Sequence, residues 1–507
     1  MSDATFVTTP IYYVNAAPHL GHAYTTIAAD VLARHARRCG RPTFFLTGTD
    51  EHGEKIARAA AEAGLAPKAW ADRASVPFRE LAEAVGAVPD FFLRTTDPEH
   101  EAFVQRFVER LRDAGDVYEG TYRGLYCTSC EEFYREGDAV GGRLCPIHGI
   151  ELEWIEEANW FFRLSAYQER LLALYDARPE FVLPQTRMNE TRSFVTQGLD
   201  DISISRASSD WGVAIPWQPE HVIYVWIDAL LNYASALTYA RAGEDLTEAF
   251  WPPRWQVLGK DILKFHAVIW PAMLMAAGYE PPHQLFIHGF LTVRDAKMGK
   301  SAGNAIDPHQ VISRYGSDAL RFYLLREVRF GQDGGVSPES VHERYTGELA
   351  NELGNLVSRT CAMIGRYRAG AVPGAPIDAG IAAILSTAAI DAGRRLERFE
   401  LSDALDAIWV AVRALNRYVE TSAPWAVAKD GTRGDELDRI LYTLADGIRV
   451  VAILLSPYLP AASAAILAAI GAEDGVEWSE VEPGRLRAGA AASAIAPLFP
   501  RVDEPLA

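Results

Sequence analysis

Cysteine, lysine and long apolar runs are all scarce in this chain, and each scarcity removes a class of protein. Five cysteines in 507 residues is an odd and small number that does not make a disulfide framework. The longest apolar stretch, Ile448 to Ile470, is broken by Pro457 and Pro460 and so falls short of the ~20 uninterrupted apolar residues of a membrane span. The first ten residues carry Asp3 and no Lys or Arg, unlike the charged start of a secretory signal. A cytoplasmic protein that meets no membrane is the expectation. The formal net charge is −18, which argues against broad adhesion to nucleic acid, because such adhesion neutralises many phosphates with Lys and Arg. Any RNA site must be local. Only seven of the 49 basic residues are lysines, and four of these, Lys260, Lys264, Lys297 and Lys300, fall between 260 and 300. A compact, mobile ammonium there suits phosphate chemistry, in which Arg and Lys are not interchangeable.

What the chain does have is ordinary globular composition, 49% apolar and 23% charged, and length for about three domains. The first 65 residues read as strand (Thr5–Thr9), loop through Pro18, amphipathic helix (Ala23–Cys39), strand (Thr43–Thr47) and a helix from Gly53, the opening of a parallel α/β sheet. From about Tyr118 to Trp160 the pattern changes to Gly, Cys and turn residues, which reads as an inserted module. Apolar strand segments resume at Val222–Trp226, Gln256–Leu258 and Gln284–Gly289, so the sheet is interrupted and then completed. After roughly Val336 strand signals vanish, and long Ala- and Leu-rich amphipathic stretches predict an all-helical domain to about Ile470.

Two short motifs carry chemistry. Pro18-His19-Leu20-Gly21-His22 places two imidazoles three apart at a helix start, where Gly21 lets a ligand approach the backbone and free amides favour anions. A triphosphate fits such a site. A capping turn with incidental histidines is an alternative, and so is a metal held by His19 and His22 with His52 or Asp50. The second motif, Lys297-Met298-Gly299-Lys300-Ser301, makes a basic loop able to fold over phosphates as charge develops on them. Separately, Cys127-x2-Cys130-x14-Cys145-x2-His148 sets three thiolates and an imidazole in two tight pairs, the spacing of a closed tetrahedral zinc site with a structural role. Buried free thiols are the other reading.

Together the paired histidines and the lysine loop resemble the signatures of class I aminoacyl-tRNA synthetases. Four further segments narrow the resemblance to the methionyl family: Thr8–Asn15, Thr47–Gly53, Tyr224–Leu230 and Gly259–His266. It departs at Gly299, where the family usually has Ser, which bears on loop closure and leaves both lysines in place. The resemblance implies an α/β fold, with a doubly wound, Rossmann-like parallel sheet in the catalytic domain (1–115 and 211–335), a zinc-bearing insertion (116–210) and an α-helical anticodon-binding domain (336–507). It implies methionine–tRNA ligase activity, with ATP and magnesium, methionine, and initiator and elongator tRNA(Met) as partners, one structural zinc per chain and a monomeric state.

For the site, it implies that His19, Gly21, His22, Asp261, Lys297 and Lys300 serve ATP, with the histidines and lysines catalytic. Ile11, Tyr13, Trp226, Ala229, Leu230, Tyr233, Ile262, His266 and Trp270 would line the methionine pocket, with Asp50 on the amino group. A thioether is unbranched and polarizable and is favourably enclosed by aromatic edges; Phe265 belongs to the same aromatic set. In the helical domain Asn351, Asn355 and Arg359 are spaced by four on one face while Leu349, Leu353, Leu356 and Val357 make an apolar stripe on another. The resemblance assigns anticodon reading to Asn355, Arg359 and Trp425. Three competitors are weighed against this. Another class I synthetase, for valine, isoleucine, leucine or cysteine, would share both motifs, but the first three usually carry a large editing domain that a chain of this length lacks. A small-molecule nucleotidyltransferase has no need of the helical third, and a catalytically silent tRNA-binding paralogue would not exchange pyrophosphate.

Overall fold

A computed structural model describes residues 4–128, 131–134, 137, 139–146, 149–207, 209–293, 296–297, 306–474 and 476–506, with the backbone alone at 132–133 and 296–297. The principal elements up to residue 239 are β1 (Thr5–Thr8), β2 (Tyr12–Tyr13), α1 (Leu20–Arg38), β3 (Thr43–Asp50), α2 (Glu54–Glu62), α3 (Pro67–Ala84), β4 (Phe91–Arg94), α4 (Pro98–Asp113), β5 (Val117–Cys127), β6 (Glu132–Tyr134), β7 (Glu153–Phe162), α5 (Gln168–Ala177), β8 (Val182–Leu183), α6 (Gln185–Thr196), α7 (Val225–Leu230) and α8 (Asn232–Tyr239). The chain forms two compact units, one of residues 1–18, 44–81 and 89–287 and the other of residues 19–43, 82–88 and 288–507.

In the first unit seven strands make one sheet, in the order β2, β3, β1, Trp255–Gly259, Gln284–His288, β8, with β4 also paired to β3. The pairings of β1 with Trp255–Gly259, of β3 with β2 and β4, and of Gln284–His288 with β8 are all parallel. Their sequences are apolar or β-branched almost throughout, and β1 is buried at every position, as a parallel strand covered on both faces must be. From β1 the chain reaches β3 on one side and Trp255–Gly259 on the other. Such a reversal of direction opens a crevice at the carboxyl ends of the strands, where α/β sheets bind ligands. Beneath the crevice, Phe6, Phe44, Leu46 and Leu258 from the sheet share one core with Phe103 and Phe107 of α4 and Leu237 of α8.

The predicted turn-rich module contains more strand than its sequence suggests. β5 and β7 pair antiparallel from Val117↔Phe162 to Tyr126↔Glu153. Charged and glycine positions such as Glu119, Gly120, Arg123 and Gly124 disguise the ribbon, because along much of its length β5 alternates between exposed and half-buried residues and needs no apolar face.

Helices dominate the second unit. Among the described residues the last strand is Gly334–Gly335, and Leu401–Ser422, Gly434–Leu455 and Ala379–Leu396 follow as long helices. α1 is held within this unit by Arg321. That side chain is fully buried, and its guanidinium donates to Asp30 on α1 at 2.7 Å and to the carbonyls of Val85, Pro457 and Tyr458. No helix among the described residues is long and apolar enough to cross a membrane. The architecture is thus α/β with a parallel sheet, followed by an all-helical region.

Candidate functional site

The residues singled out for an amino-acid pocket, Ile11, Tyr13, Asp50, Trp226, Ala229, Leu230, Tyr233, Ile262, His266 and Trp270, all belong to the first unit. Several leave the carboxyl ends of parallel strands. Asp50 ends β3, Ile11 and Tyr13 follow β1, and Asp261 and Ile262 lie in the short turn after Trp255–Gly259. Trp226, Ala229 and Leu230 share α7. The Trp226 and Phe265 rings stack with centroids 3.9 Å apart and planes 11° apart, and Tyr233 lies 5.9 Å from Trp270. His266 sits in a π-helical turn, Phe265–Ile269, just before Pro271, an irregularity that is frequent at functional sites. Its Nδ1–H donates to the Ile262 carbonyl at 3.0 Å, which leaves Nε2 to accept from the Tyr233 hydroxyl at 2.8 Å. Burial lowers the imidazole to about 4, so the ring is neutral. The two polar groups satisfy each other, so an apolar neighbour would leave neither unpaired.

Asp50 is the opposite case. It is 7% exposed, and its Oδ1 has no partner among the described residues. Burial, with Asp228 and Glu131 nearby, pushes its carboxyl well above the usual range, while His52 pulls it down. A buried carboxylate in this condition gains from a cationic ligand. Its loop is rigidly held. Glu51, fully buried, accepts from Arg94 Nε at 2.7 Å and Nη2 at 2.8 Å, and from the Thr49 and Thr96 hydroxyls at 2.7 and 2.6 Å. Gly53 then turns the chain at φ 101°, a conformation that suits glycine. A Cβ there would sit 2.6 Å from both the Tyr13 hydroxyl and the Glu131 carboxylate, which bond each other at 2.8 Å.

His19, Gly21 and His22 lie in the second unit at the start of α1. The Gly21 amide donates to His19 Nδ1 and the His19 amide to His22 Nδ1, each at 3.0 Å. With both Nδ1 atoms accepting, a neutral ring carries its proton on Nε2. The structure differs here from the expected open amides, since the imidazoles themselves close the helix start. Gly21 is needed because a Cβ would meet the His19 ring at 2.8 Å. For the metal alternative, no group of three or more His, Cys, Asp or Glu among the described residues is arranged to hold a metal ion. Lys297 lies on a short strand whose backbone pairs with Thr292; Lys300 falls outside the described residues. So do Cys130 and His148. Of the four zinc-ligand candidates Cys127 and Cys145 are described; both are buried in one small cluster with Tyr134 and Leu152, and the Cys145 carbonyl accepts from Gly149 N at 2.8 Å. Two buried thiols in one cluster are donors of the kind zinc takes.

In the helical region Asn351 and Asn355 are exposed and Arg359 is half-buried, although residues 345–354 form a π-helix that α-helical spacing does not anticipate. Helix Leu401–Ser422 ends at Ala423 with φ 41°, and Pro424 starts the next turn. That break leaves Trp425 44% exposed, with the Arg359 guanidinium 5.9 Å from its ring centroid. Sequence reasoning missed the buried Glu131 and His100 and the half-buried Arg94. None carries a local signal, and each meets its partner only through the fold.

A family model described as tRNA synthetases class I (M) matches residues 5–152 and 143–361, and one described as the anticodon binding domain of methionyl tRNA ligase matches residues 381–504. The methionine–tRNA ligase of Streptomyces coelicolor is 45% identical over 99% of this chain and 97% of its own length. That of Synechocystis is 46% identical over 92% and 89%. Among solved structures, Mycobacterium tuberculosis methionyl-tRNA synthetase in complex with methionyl-adenylate aligns with a TM-score of 0.94 at 42% identity, over 99% of this chain and 100% of that one. With a matching family model across most of its length and relatives this similar end to end, the chain belongs to the methionyl family of class I aminoacyl-tRNA synthetases.

Proposed function

We infer that the protein is a methionine–tRNA ligase, which activates methionine with ATP and passes the methionyl group to the 3′ end of tRNA(Met). The observation that carries this reading is the buried Asp50 carboxylate with an unpartnered oxygen, paired in the sheet with Tyr13, in a chain that matches the family along its length. An ammonium answers the carboxylate and a thioether answers the rings. In the first step a methionine carboxylate oxygen attacks the α-phosphorus of ATP, the bond to the bridging oxygen breaks, and pyrophosphate leaves. In the second the terminal ribose hydroxyl of the tRNA attacks the activated carbonyl and AMP leaves. No covalent enzyme intermediate is needed, so the protein contributes position and charge stabilisation.

Asp50 holds the ammonium. His19 and His22, through Nε2, and the Gly21 turn serve the phosphates. Lys297 and Lys300 stabilise the phosphoryl region as charge develops, and Asp261 binds the ribose. Magnesium accompanies ATP. Cys127, Cys130, Cys145 and His148 hold one structural zinc, which when bound supplies a cross-link and takes no part in the reaction. Asn355, Arg359 and Trp425 read the anticodon of initiator and elongator tRNA by stacking and base-edge hydrogen bonds. The working domains are 1–115 with 211–335, the insertion 116–210 and the helical domain 336–507, in a cytoplasmic monomer.

The test is amino-acid-dependent ATP–pyrophosphate exchange without tRNA, methionine against the other amino acids. Exchange with methionine alone is expected. Exchange driven by another amino acid overturns the pocket, and no exchange with any favours a silent tRNA-binding chain.

A further inference from the structure

Three buried ionisable side chains behind the pocket have no part in the chemistry above. Asp228 and His100 are fully buried and His52 is 2% exposed. Asp228 takes one imidazole on each oxygen, His52 Nδ1 on Oδ2 at 2.7 Å and His100 Nε2 on Oδ1 at 2.8 Å. On the far side His52 Nε2 faces Glu101 at 3.6 Å, and His100 Nδ1 lies 2.7 Å from the Ser235 hydroxyl. The Trp211 ring covers His52 edge-on at 5.2 Å. Glu101 and His100 come from α4, Asp228 from α7, Ser235 from α8 and His52 from the loop after β3.

Such a cluster is a poor stabiliser by itself, because desolvating the charges offsets much of their attraction. Its placement suggests another use. Asp228 lies on α7 between Trp226 and Ala229, which belong to the wall of the pocket. His52 grips Asp228 with its side chain, and it stands two residues after Asp50 in the same loop, where its charge and backbone favour the Asp50 carboxylate. The link therefore ties the aromatic wall to the loop that presents Asp50. Charge follows the same path. Flanked by Asp228 and Glu101, His52 is raised to about 10, so at neutral pH it is a cation beside Asp50 and offsets Asp228 there.

We propose that the His52–Asp228–His100 cluster positions Asp50 for the methionine ammonium, fixing its loop against α7 and screening it from the Asp228 charge. All three are positioning residues, since none is placed against substrate. The proposal rests on Asp50 being the ammonium holder.

The test uses the full-length enzyme and two ligands, methionine and its desamino analogue 4-(methylthio)butanoate, which keeps the thioether and carboxylate and lacks the ammonium. KM and kcat for methionine are read in pyrophosphate exchange, and the inhibition constant of the analogue in competition. Asp228→Asn and His52→Gln are expected to raise the methionine KM about tenfold while kcat and the analogue constant stay within about threefold. His100→Gln, which keeps a donor toward Asp228, is expected to give a smaller loss with the same selectivity, and it serves if the other two fail to fold. A common factor on both ligands, or no change on either, overturns the proposal and leaves the cluster a structural brace. Asp50→Asn separates the two claims. If it does not erase the preference for methionine over the analogue, the ammonium reading itself falls; if it does while Asp228→Asn and His52→Gln leave that preference intact, only the present inference falls.

Discussion

His266 shows what burial does to one titratable ring, even against the upward pull of its hydrogen bond to the Ile262 carbonyl. Its free pKa near 6.5 is lowered to about 4 in the folded protein, so between those values the unfolded chain binds a proton that the folded chain refuses. Stability from this group is therefore full above pH 6.5 and falls as the pH drops toward 4, by roughly 3 kcal/mol in all. Urea unfolding midpoints across that window should decline less steeply for His266→Gln than for the unsubstituted protein; equal slopes would remove His266 from the account. Trp425 stands at the exposed extreme. Truncating an exposed indole leaves the core intact, and stacking on an unpaired base is worth about 1–3 kcal/mol. Trp425→Ala should therefore cut kcat/KM for tRNA charging by roughly ten- to a hundredfold with pyrophosphate exchange unchanged. Unchanged charging would sink the anticodon assignment. The residue type at position 425 was legible in the sequence. Its exposure was not, since that depends on the left-handed turn at Ala423.

Between elements, helices Leu401–Ser422 and Gly434–Leu455 approach closely at one glycine. A Cβ at Gly447 would lie 2.4 Å from Leu415 Cδ2, and Leu415 is fully buried. Gly447→Ala gains up to about 1 kcal/mol of helix propensity and meets overpacking of about 1–3 kcal/mol. The expected outcome is a net loss in denaturant unfolding, partly relieved when Leu415→Ala is added. Strict additivity of the two substitutions would mean they do not touch.

The inserted module poses the reverse problem. Among the described residues its own cluster is Cys127, Tyr134, Cys145 and Leu152 with a few partly buried neighbours, little apolar area for a segment that must hold a shape. A metal cross-link answers the need. Elemental analysis of purified protein should give about one zinc per chain, reduced in Cys127→Ser and Cys145→Ser, and chelation should lower the melting temperature. Metal-free protein with freely titrating thiols would refute the site. The thiol spacing was readable from sequence, whereas the long β5–β7 ribbon was not, because a solvent-facing ribbon needs no apolar alternation.

For the whole molecule the governing quantity is charge. A body at −18 repels polyanions at long range, so tRNA must be held by a small number of local contacts and by stacking. At physiological salt tRNA(Met) should bind far more tightly than an unrelated RNA of equal length, measured by filter binding with competitor. Comparable affinities would show that RNA binding is diffuse.

Local order was written in the chain itself. The strand–helix alternation before residue 65, the helical third after Val336, the paired histidines, the lysine loop and the cysteine pairs are short-range patterns, set by side-chain periodicity and by spacings of a few residues. Which groups meet across the fold was decided by the tertiary structure alone. Tyr13 bonds Glu131 across 118 positions of sequence, and His100 bonds Asp228 across 128. Those meetings follow from strand order and helix packing, which no local period encodes. The buried, half-partnered state of Asp50 is likewise a product of everything folded around it.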